Sequence, residues 1–99
     1  MLSKEAVEGL IFKALKNLNE ERPPHEQIPL SPETRLFGTN AVLDSLSLVS
    51  VIVDVESAVS EASGREVALT DDRAMSQPVS PFTSISTLTG YILSVLSAP

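Results

Sequence analysis

The fold is decided by residues 46–62, which read LSLVSVIVDVESAVSEA. The first half of this segment is rich in Val and Ile, a composition typical of a strand. The whole run is too long for an ordinary strand, however, and its apolar residues recur at steps of three and four. One stripe consists of Leu48, Ile52, Val55, Val59 and Ala62, and a second of Leu46, Val49 and Val53. We therefore predict a helix that is apolar on more than one face.

The second stripe admits two interpretations. A helix that is apolar over more than one face is either central to a bundle or keeps one face for a ligand or partner. We favour ordinary core packing for Leu46, Val49 and Val53, and we keep open the alternative that they line a groove for a bound group.

Two further helices are predicted, one on each side of this segment. Residues 4–18 follow Ser3, a good N-cap, and the last helix starts near Thr83 or Ser84. Gly64 is suited to the left-handed C-cap of the middle helix. The core-facing residues of the outer helices are Val7, Leu10, Ile11, Ala14, Leu15 and Leu18 in the first and Ile85, Leu88, Tyr91, Ile92, Val95 and Leu96 in the last.

The connections between these helices are predicted to be irregular. The stretch from Pro23 to Leu43 contains four prolines together with Gly38 and Asn40, so it forms one long loop. Such a loop is unusual unless its own apolar residues pin it to the core. Between residues 65 and 82 we expect one short helical turn, around Asp71 to Ser76. The expected anchors of the long loop are Ile28, Leu30, Leu36, Phe37, Val42 and Leu43.

Composition limits what the chain can be. Its 99 residues, 42% of them hydrophobic, suffice for one core, so we expect a single domain. There is no cysteine, which excludes disulfides and thiolate metal sites and favours a reducing, cytoplasmic location. The first residues lack the long apolar stretch of a signal peptide, and no segment approaches the roughly 20 apolar residues that a membrane span needs.

The charge argues against nucleic acid as a ligand. The net charge is -6, whereas binding a phosphate backbone requires a basic face. Residues 33–73 hold eight acids and three bases, while residues 74–99 hold no charged side chain. The expected partners are therefore basic, and the middle of the chain would attract them.

Catalytic and metal-binding groupings are not recognisable. The one histidine, His25, lies in a proline-rich loop without a second metal ligand nearby, so we interpret it as a solvated loop residue. Asp71 and Asp72 are adjacent carboxylates, an arrangement that is more typical of a helix N-terminus than of acid–base catalysis. No set of nucleophile, base and electrostatic partner can be assembled, and we predict a non-catalytic protein.

The tripeptide Asp44-Ser45-Leu46 stands where the long loop meets the predicted middle helix. At such a junction a serine hydroxyl is exposed, and the N–H groups of the first turn, with the positive end of the helix dipole, favour an attached phosphate. The plainer interpretation is that Ser45 is only the N-cap, which would stabilise the fold by about 1 kcal/mol. The tripeptide alone does not separate the two.

The surrounding residues favour the first interpretation. Leu36-Phe37-Gly38, followed by Leu43-Asp44-Ser45-Leu46 and Leu48-Val49, resembles the motif of acyl carrier proteins and related phosphopantetheine-attachment domains. The order of one helix, a long loop, the motif helix, a short third helix and a closing helix is also similar to that family over nearly the whole chain. The resemblance implies an all-α four-helix bundle, with residues 1–99 as a single acyl carrier domain.

The resemblance also implies a function. Ser45 would carry a covalent 4'-phosphopantetheine arm, transferred from coenzyme A by a phosphopantetheinyl transferase, whose terminal thiol holds acyl groups as thioesters. Asp44 matches the residue that helps the transferase recognise the site, and Leu46 matches an apolar contact for partner enzymes. The implied partners are the transferase and acyl-loading and acyl-processing enzymes with basic docking surfaces, and the carrier is expected to be a monomer.

The pathway and the cargo are less sharply indicated. Ser47 and Ser50 stand where carriers of bacterial fatty-acid synthesis usually have acids, which favours a specialised carrier in polyketide, lipid or other secondary pathways. A carrier of aminoacyl or peptidyl groups is one alternative. An unmodified helical interaction module, with Ser45 as a cap only, is the other.

Overall fold

The computed structural model describes residues 2–38, 41, 43–69 and 80–97, with the backbone but not the side chain of Ser45. These residues form three α-helices, α1 (Lys4–Asn19), α2 (Ser45–Ser63) and α3 (Ile85–Ser97), and one 3-10 turn, Pro24–Glu26. They contain no strand, only an isolated antiparallel bridge between Arg35 and Ser84. The all-helical prediction is confirmed. The short helical turn predicted around Asp71 to Ser76 lies outside the described residues, so the described part of the chain supplies three helices and not four.

Helix α1 follows the predicted pattern. The Ser3 hydroxyl accepts a hydrogen bond from the Ala6 N–H at 3.1 Å, which confirms Ser3 as the N-cap. Of the six predicted core residues, Leu10 and Leu18 are only partly buried. The other four, Val7, Ile11, Ala14 and Leu15, are buried.

Helix α2 settles the choice between helix and strand for residues 46–62 in favour of the helix. Gly64 ends it at φ 72°, the left-handed conformation that glycine adopts without strain. Ala62, expected in the core, is exposed, whereas Val51, which was not assigned to either stripe, is buried. The buried side chains of α2 are Leu48, Val51, Ile52, Val55 and Val59.

Helix α3 is held at both ends. Ser84 and Thr87 form a reciprocal cap, in which each side-chain oxygen accepts a hydrogen bond from the other residue's N–H. At the other end, the guanidinium of Arg65 donates to the Leu96 carbonyl at 2.6 Å. Val95 is only partly buried, while the remaining predicted core residues are buried, namely Ile85, Leu88, Tyr91, Ile92 and Leu96. Helix α1 packs against both α2 and α3.

The described residues of the long loop form an ordered crossover. The buried Asn19 side chain accepts a hydrogen bond from the Ile28 N–H at 2.7 Å and donates one to the Ile28 carbonyl at 3.1 Å. Farther along, the Leu36 N–H donates to the Thr83 carbonyl, and the Thr34 carbonyl accepts from the Ile85 N–H at the start of α3. These bonds satisfy backbone groups that a loop crossing the core would otherwise leave unpaired.

The apolar anchors of this loop are fewer than predicted. Ile28, Leu36 and Leu43 are buried, but Leu30 and Phe37 are about half exposed, so the prediction was wrong for these two. Backbone hydrogen bonds and the side chain of Asn19 attach the loop to the rest of the fold in addition to its buried apolar residues. Val42 lies outside the described residues.

The segment after α2 folds back along that helix. The Ser60 hydroxyl accepts a hydrogen bond from the Val67 N–H at 2.9 Å, and the Glu56 carboxylate accepts one from the Leu69 N–H at 2.7 Å. Val67 and Leu69 are both buried. In the part of the chain that the structure describes, no helix is both long and apolar enough to span a membrane.

Replacing Asn19 by Ala tests the pinning of the crossover. The variant leaves the N–H and the carbonyl of Ile28 without their partner in a buried site, so we expect a loss of about 2 kcal/mol in the free energy of unfolding. The measurement is urea denaturation followed by circular dichroism. Asn17→Ala on the exposed side of α1 is the matched control, and equal stability of the two variants would contradict this account of the loop.

Candidate functional site

The start of α2 is fixed by Asp44. Its carboxylate accepts a hydrogen bond from the Ser47 N–H at 2.8 Å, and its backbone carbonyl accepts one from the Leu48 N–H at 2.9 Å. Asp44 is therefore the N-cap, and Ser45 is the first residue of the helix. The interpretation of Ser45 as the N-cap was wrong, because its neighbour fills that position.

The Asp44 carboxylate is stabilised in its charged form. The Ser47 N–H is the main reason that the pKa of Asp44 lies below its ordinary value, and the Ser47 hydroxyl lowers this pKa further. The Arg22 guanidinium makes a smaller, Coulombic contribution in the same direction. The side chain is exposed, so at neutral pH the site presents an ionised, solvated carboxylate directly before Ser45.

Arg22 belongs to this site, although no sequence pattern predicted it there. Its guanidinium donates to the Ser47 hydroxyl at 3.5 Å and to the Glu26 carbonyl at 3.4 Å. The Gln27 amide donates to the Arg22 carbonyl at 2.9 Å and so fixes the backbone that carries it. The segment after α1 thus brings one positive charge to the N-terminus of α2, beside the negative cap.

The second apolar stripe of α2 is exposed to solvent. Leu46 is 82% exposed, Val49 55% and Val53 49%, so the expectation that these three residues belong to the core was wrong. The opposite side of α2, which contains Val51 and the other buried residues of this helix, faces the core instead. The three exposed residues, which we call the outer stripe, stand at helical positions i, i+3 and i+7 and extend about 10 Å along the helix from the residue after Ser45.

The carboxylates of α2 lie away from the outer stripe or are already engaged. Asp54 and Glu61 line the groove between α1 and α2, where Lys13 is a further lining residue. Glu56 accepts the hydrogen bond from the Leu69 N–H. Ser57 also lines this groove, and both Ser50 and Ser57 are exposed.

Of the other candidate groups, the structure describes His25 but not Asp71 or Asp72. His25 is exposed in the 3-10 turn Pro24–Glu26, and Asp71 and Asp72 lie outside the described residues. Within residues 2–38, 41, 43–69 and 80–97, no three side chains of His, Cys, Asp or Glu cluster as metal ligands do.

Comparison with known proteins gives no match: no family model, no curated protein and no solved structure is similar to this chain. The likeness to acyl carrier proteins therefore rests on Leu36-Phe37-Gly38, on Leu43-Asp44-Ser45-Leu46 and on the order of the helices. In the structure, Ser45 lies in the first turn of α2, and the residues on either side of it are exposed.

Replacing Asp44 by Ala tests the cap. We expect a lower urea midpoint at pH 7, because the Ser47 N–H loses its acceptor. Since the folded state lowers the pKa of Asp44, the ionised cap stabilises the fold above the pKa of the unfolded chain, near pH 4, and this contribution disappears as the pH falls through the lower folded pKa.

The difference in midpoint between the wild type and Asp44→Ala should therefore shrink below about pH 4. Asp54→Ala, which removes an exposed carboxylate inside the same helix, is the control and should lose no stability at pH 7, because Ala is the better helix former. A gap for Asp44→Ala that stays constant down to pH 2.5 would argue against an ionised cap.

Proposed function

We propose that this protein is an acyl carrier protein and that Ser45 is the attachment point of its 4'-phosphopantetheine arm. In the modification, the Ser45 oxygen forms a bond to the phosphorus of coenzyme A that is nearest the pantetheine. The bond from that phosphorus to the bridging oxygen breaks, adenosine 3',5'-bisphosphate leaves, and the serine proton passes to a base of the phosphopantetheinyl transferase. The arm then holds acyl groups as thioesters.

The observation that carries this proposal is the setting of Ser45 at the first turn of α2, with exposed residues on both sides. Asp44 and Leu46 are exposed, so an enzyme can approach the chain at this point. The phosphate of the arm would lie at the positive end of a helix of 19 residues. Asp44 already caps this helix, so the Ser45 hydroxyl is not needed for that purpose.

The surface beside Ser45 supports a role in recognition. Leu46, the apolar partner contact implied by the family resemblance, is the most exposed large apolar residue among those described. Exposed apolar side chains that run together along a helix are typical of protein interaction sites. The partners that follow from the proposal are the transferase and enzymes that load and process acyl groups, with basic surfaces complementary to the net charge of -6.

The domain itself would perform no catalysis. The working thiol would come from the arm, so the chain needs no cysteine of its own. The proposal includes a short third helix after α2, which would complete a four-helix bundle of the acyl-carrier type. Ser47 and Ser50, in place of acids near Ser45, favour polyketide or other specialised lipid synthesis over housekeeping fatty-acid synthesis.

Two other functions compete with this one. A carrier of aminoacyl or peptidyl groups would use the same arm at the same serine, and it is distinguished by which loading enzyme, adenylating or acyl-transferring, acts on the modified protein. The other alternative is an unmodified interaction module. Taken by itself, the exposure of the outer stripe favours this function, because a docking face does not require an attached arm.

Modification in vitro tests the proposal. The chain is incubated with coenzyme A and a broad-specificity phosphopantetheinyl transferase, and its intact mass is measured. We expect the wild type to gain one phosphopantetheine and Ser45→Ala to gain none, while Ser47→Ala and Ser50→Ala, which remove neighbouring hydroxyls, still gain one. No gain by the wild type, or an undiminished gain by Ser45→Ala, would defeat the carrier assignment.

A further inference from the structure

Two negative groups would meet at the start of α2 once Ser45 carries the arm. The Asp44 carboxylate is exposed and ionised there, and the proposed phosphodiester adds a further negative charge on the next residue. The positive end of the helix dipole favours each of these groups, but like charges on adjacent residues repel each other. A positive side chain nearby would relieve this repulsion.

Arg22 is the positive side chain that the structure brings to this place. Its guanidinium donates to the Ser47 hydroxyl at 3.5 Å, and Ser45 lies two residues earlier in the same helical turn. The distance between the guanidinium and Ser45 is therefore comparable to the Debye length, about 10 Å at 0.1 M salt. Among the described residues, Arg22 is also the one charged group that acts on Asp44, whose pKa it lowers.

Contacts within the unmodified chain explain the position of Arg22 only in part. A cation near a helix N-terminus opposes the helix dipole, which favours anions at that end. Both guanidinium hydrogen bonds are long, 3.4 Å to the Glu26 carbonyl and 3.5 Å to the Ser47 hydroxyl, so they contribute little to stability. The backbone of Arg22 is nevertheless held, because the Gln27 amide donates to its carbonyl at 2.9 Å and to the Asn19 carbonyl at 2.7 Å.

We infer, on the basis of the proposed function, that Arg22 is the counter-ion of the phosphate that links the arm to Ser45. The charges of Asp44 and Arg22 cancel before modification, so the attached phosphate leaves one negative charge in excess at this end of α2 and not two. Its attraction to Arg22 also ties the turn after α1 more firmly to α2. Attachment of the arm is thereby coupled to the stability of the fold.

The test compares the unmodified protein with the arm-bearing protein by urea denaturation, followed by circular dichroism at about 0.05 M NaCl. Each form gives an unfolding equilibrium constant, and the ratio of the two constants measures how much the arm stabilises the fold. Arg22→Met keeps an aliphatic side chain but removes the charge and the hydrogen-bond donors. Arg22→Lys keeps a positive charge. Lys16→Met, which removes a positive charge from the exposed side of α1, is the matched control.

We expect the arm to stabilise the wild type about threefold more than it stabilises Arg22→Met, because only the wild type has the counter-ion. Arg22→Lys and Lys16→Met should keep the wild-type ratio of unfolding constants to within about 1.5-fold. At about 0.5 M NaCl the difference between the wild type and Arg22→Met should disappear, because salt screens a partly exposed ion pair.

Two results would overturn the inference. Equal ratios for the wild type and Arg22→Met at low salt would leave Arg22 with a structural role only, since a structural loss affects the unmodified and the arm-bearing form alike. A difference that persists unchanged at about 0.5 M NaCl, or that Lys16→Met shows to the same extent, would exclude a local ion pair.

The proposed function and this inference fail separately. If the intact mass shows the arm on the wild type but the ratio of unfolding constants does not respond to Arg22, only the counter-ion inference is wrong. If the wild type gains no mass, or Ser45→Ala gains the same mass, both are wrong.

Discussion

Burial of the inner side of α2 is the constraint from which the rest of the site follows. Val55 and Val59 are fully buried, and Val51 is 1% exposed. Because each buried aliphatic side chain stabilises the fold by roughly 1.5–3 kcal/mol, the helix cannot rotate about its axis without a large loss. The direction of the outer stripe is therefore a consequence of core packing, whereas the Asp44 cap places Ser45 at the helix N-terminus.

The crossover from α1 supplies the second condition, which is a defined start for α2. Asn19 binds both backbone polar groups of Ile28, and Arg22, held by Gln27, reaches Ser47. Leu43, the residue just before the Asp44 cap, is buried. Leu30 and Phe37, in contrast, are about half exposed, so the loop is held by hydrogen bonds as well as by its apolar residues.

These findings explain which features the sequence could predict. Helical periodicity identified all three described helices, and Ser3 and Gly64 marked helix ends because capping depends on local residue type and conformation. The sorting of α2 into core and surface was predictable only in part: Leu48, Ile52, Val55 and Val59 were placed correctly, but the outer stripe was assigned to the core. Hydrophobicity alone cannot reveal how many neighbours a helix has, and that number decides whether a second apolar stripe is covered.

Side-chain hydrogen bonds over long sequence separations were the least predictable part. Nothing in the sequence around Asn19 or Arg22 shows that these side chains reach Ile28 and Ser47, since both contacts depend on the path of the whole crossover. The same holds for the capping role of Asp44, because Asp and Ser are equally good N-caps and stand side by side. Only the start of the helix at Ser45, one residue earlier than a Ser45 cap would require, separates them.

The central claim is that the first residue of α2, and no neighbouring hydroxyl, is the one that becomes modified. Fragmentation mass spectrometry of the peptide that contains Ser45, Ser47 and Ser50, taken from transferase-treated protein, measures this directly. We predict phosphopantetheine on Ser45 alone. The arm on Ser47 or Ser50, or a peptide that carries none, would contradict it.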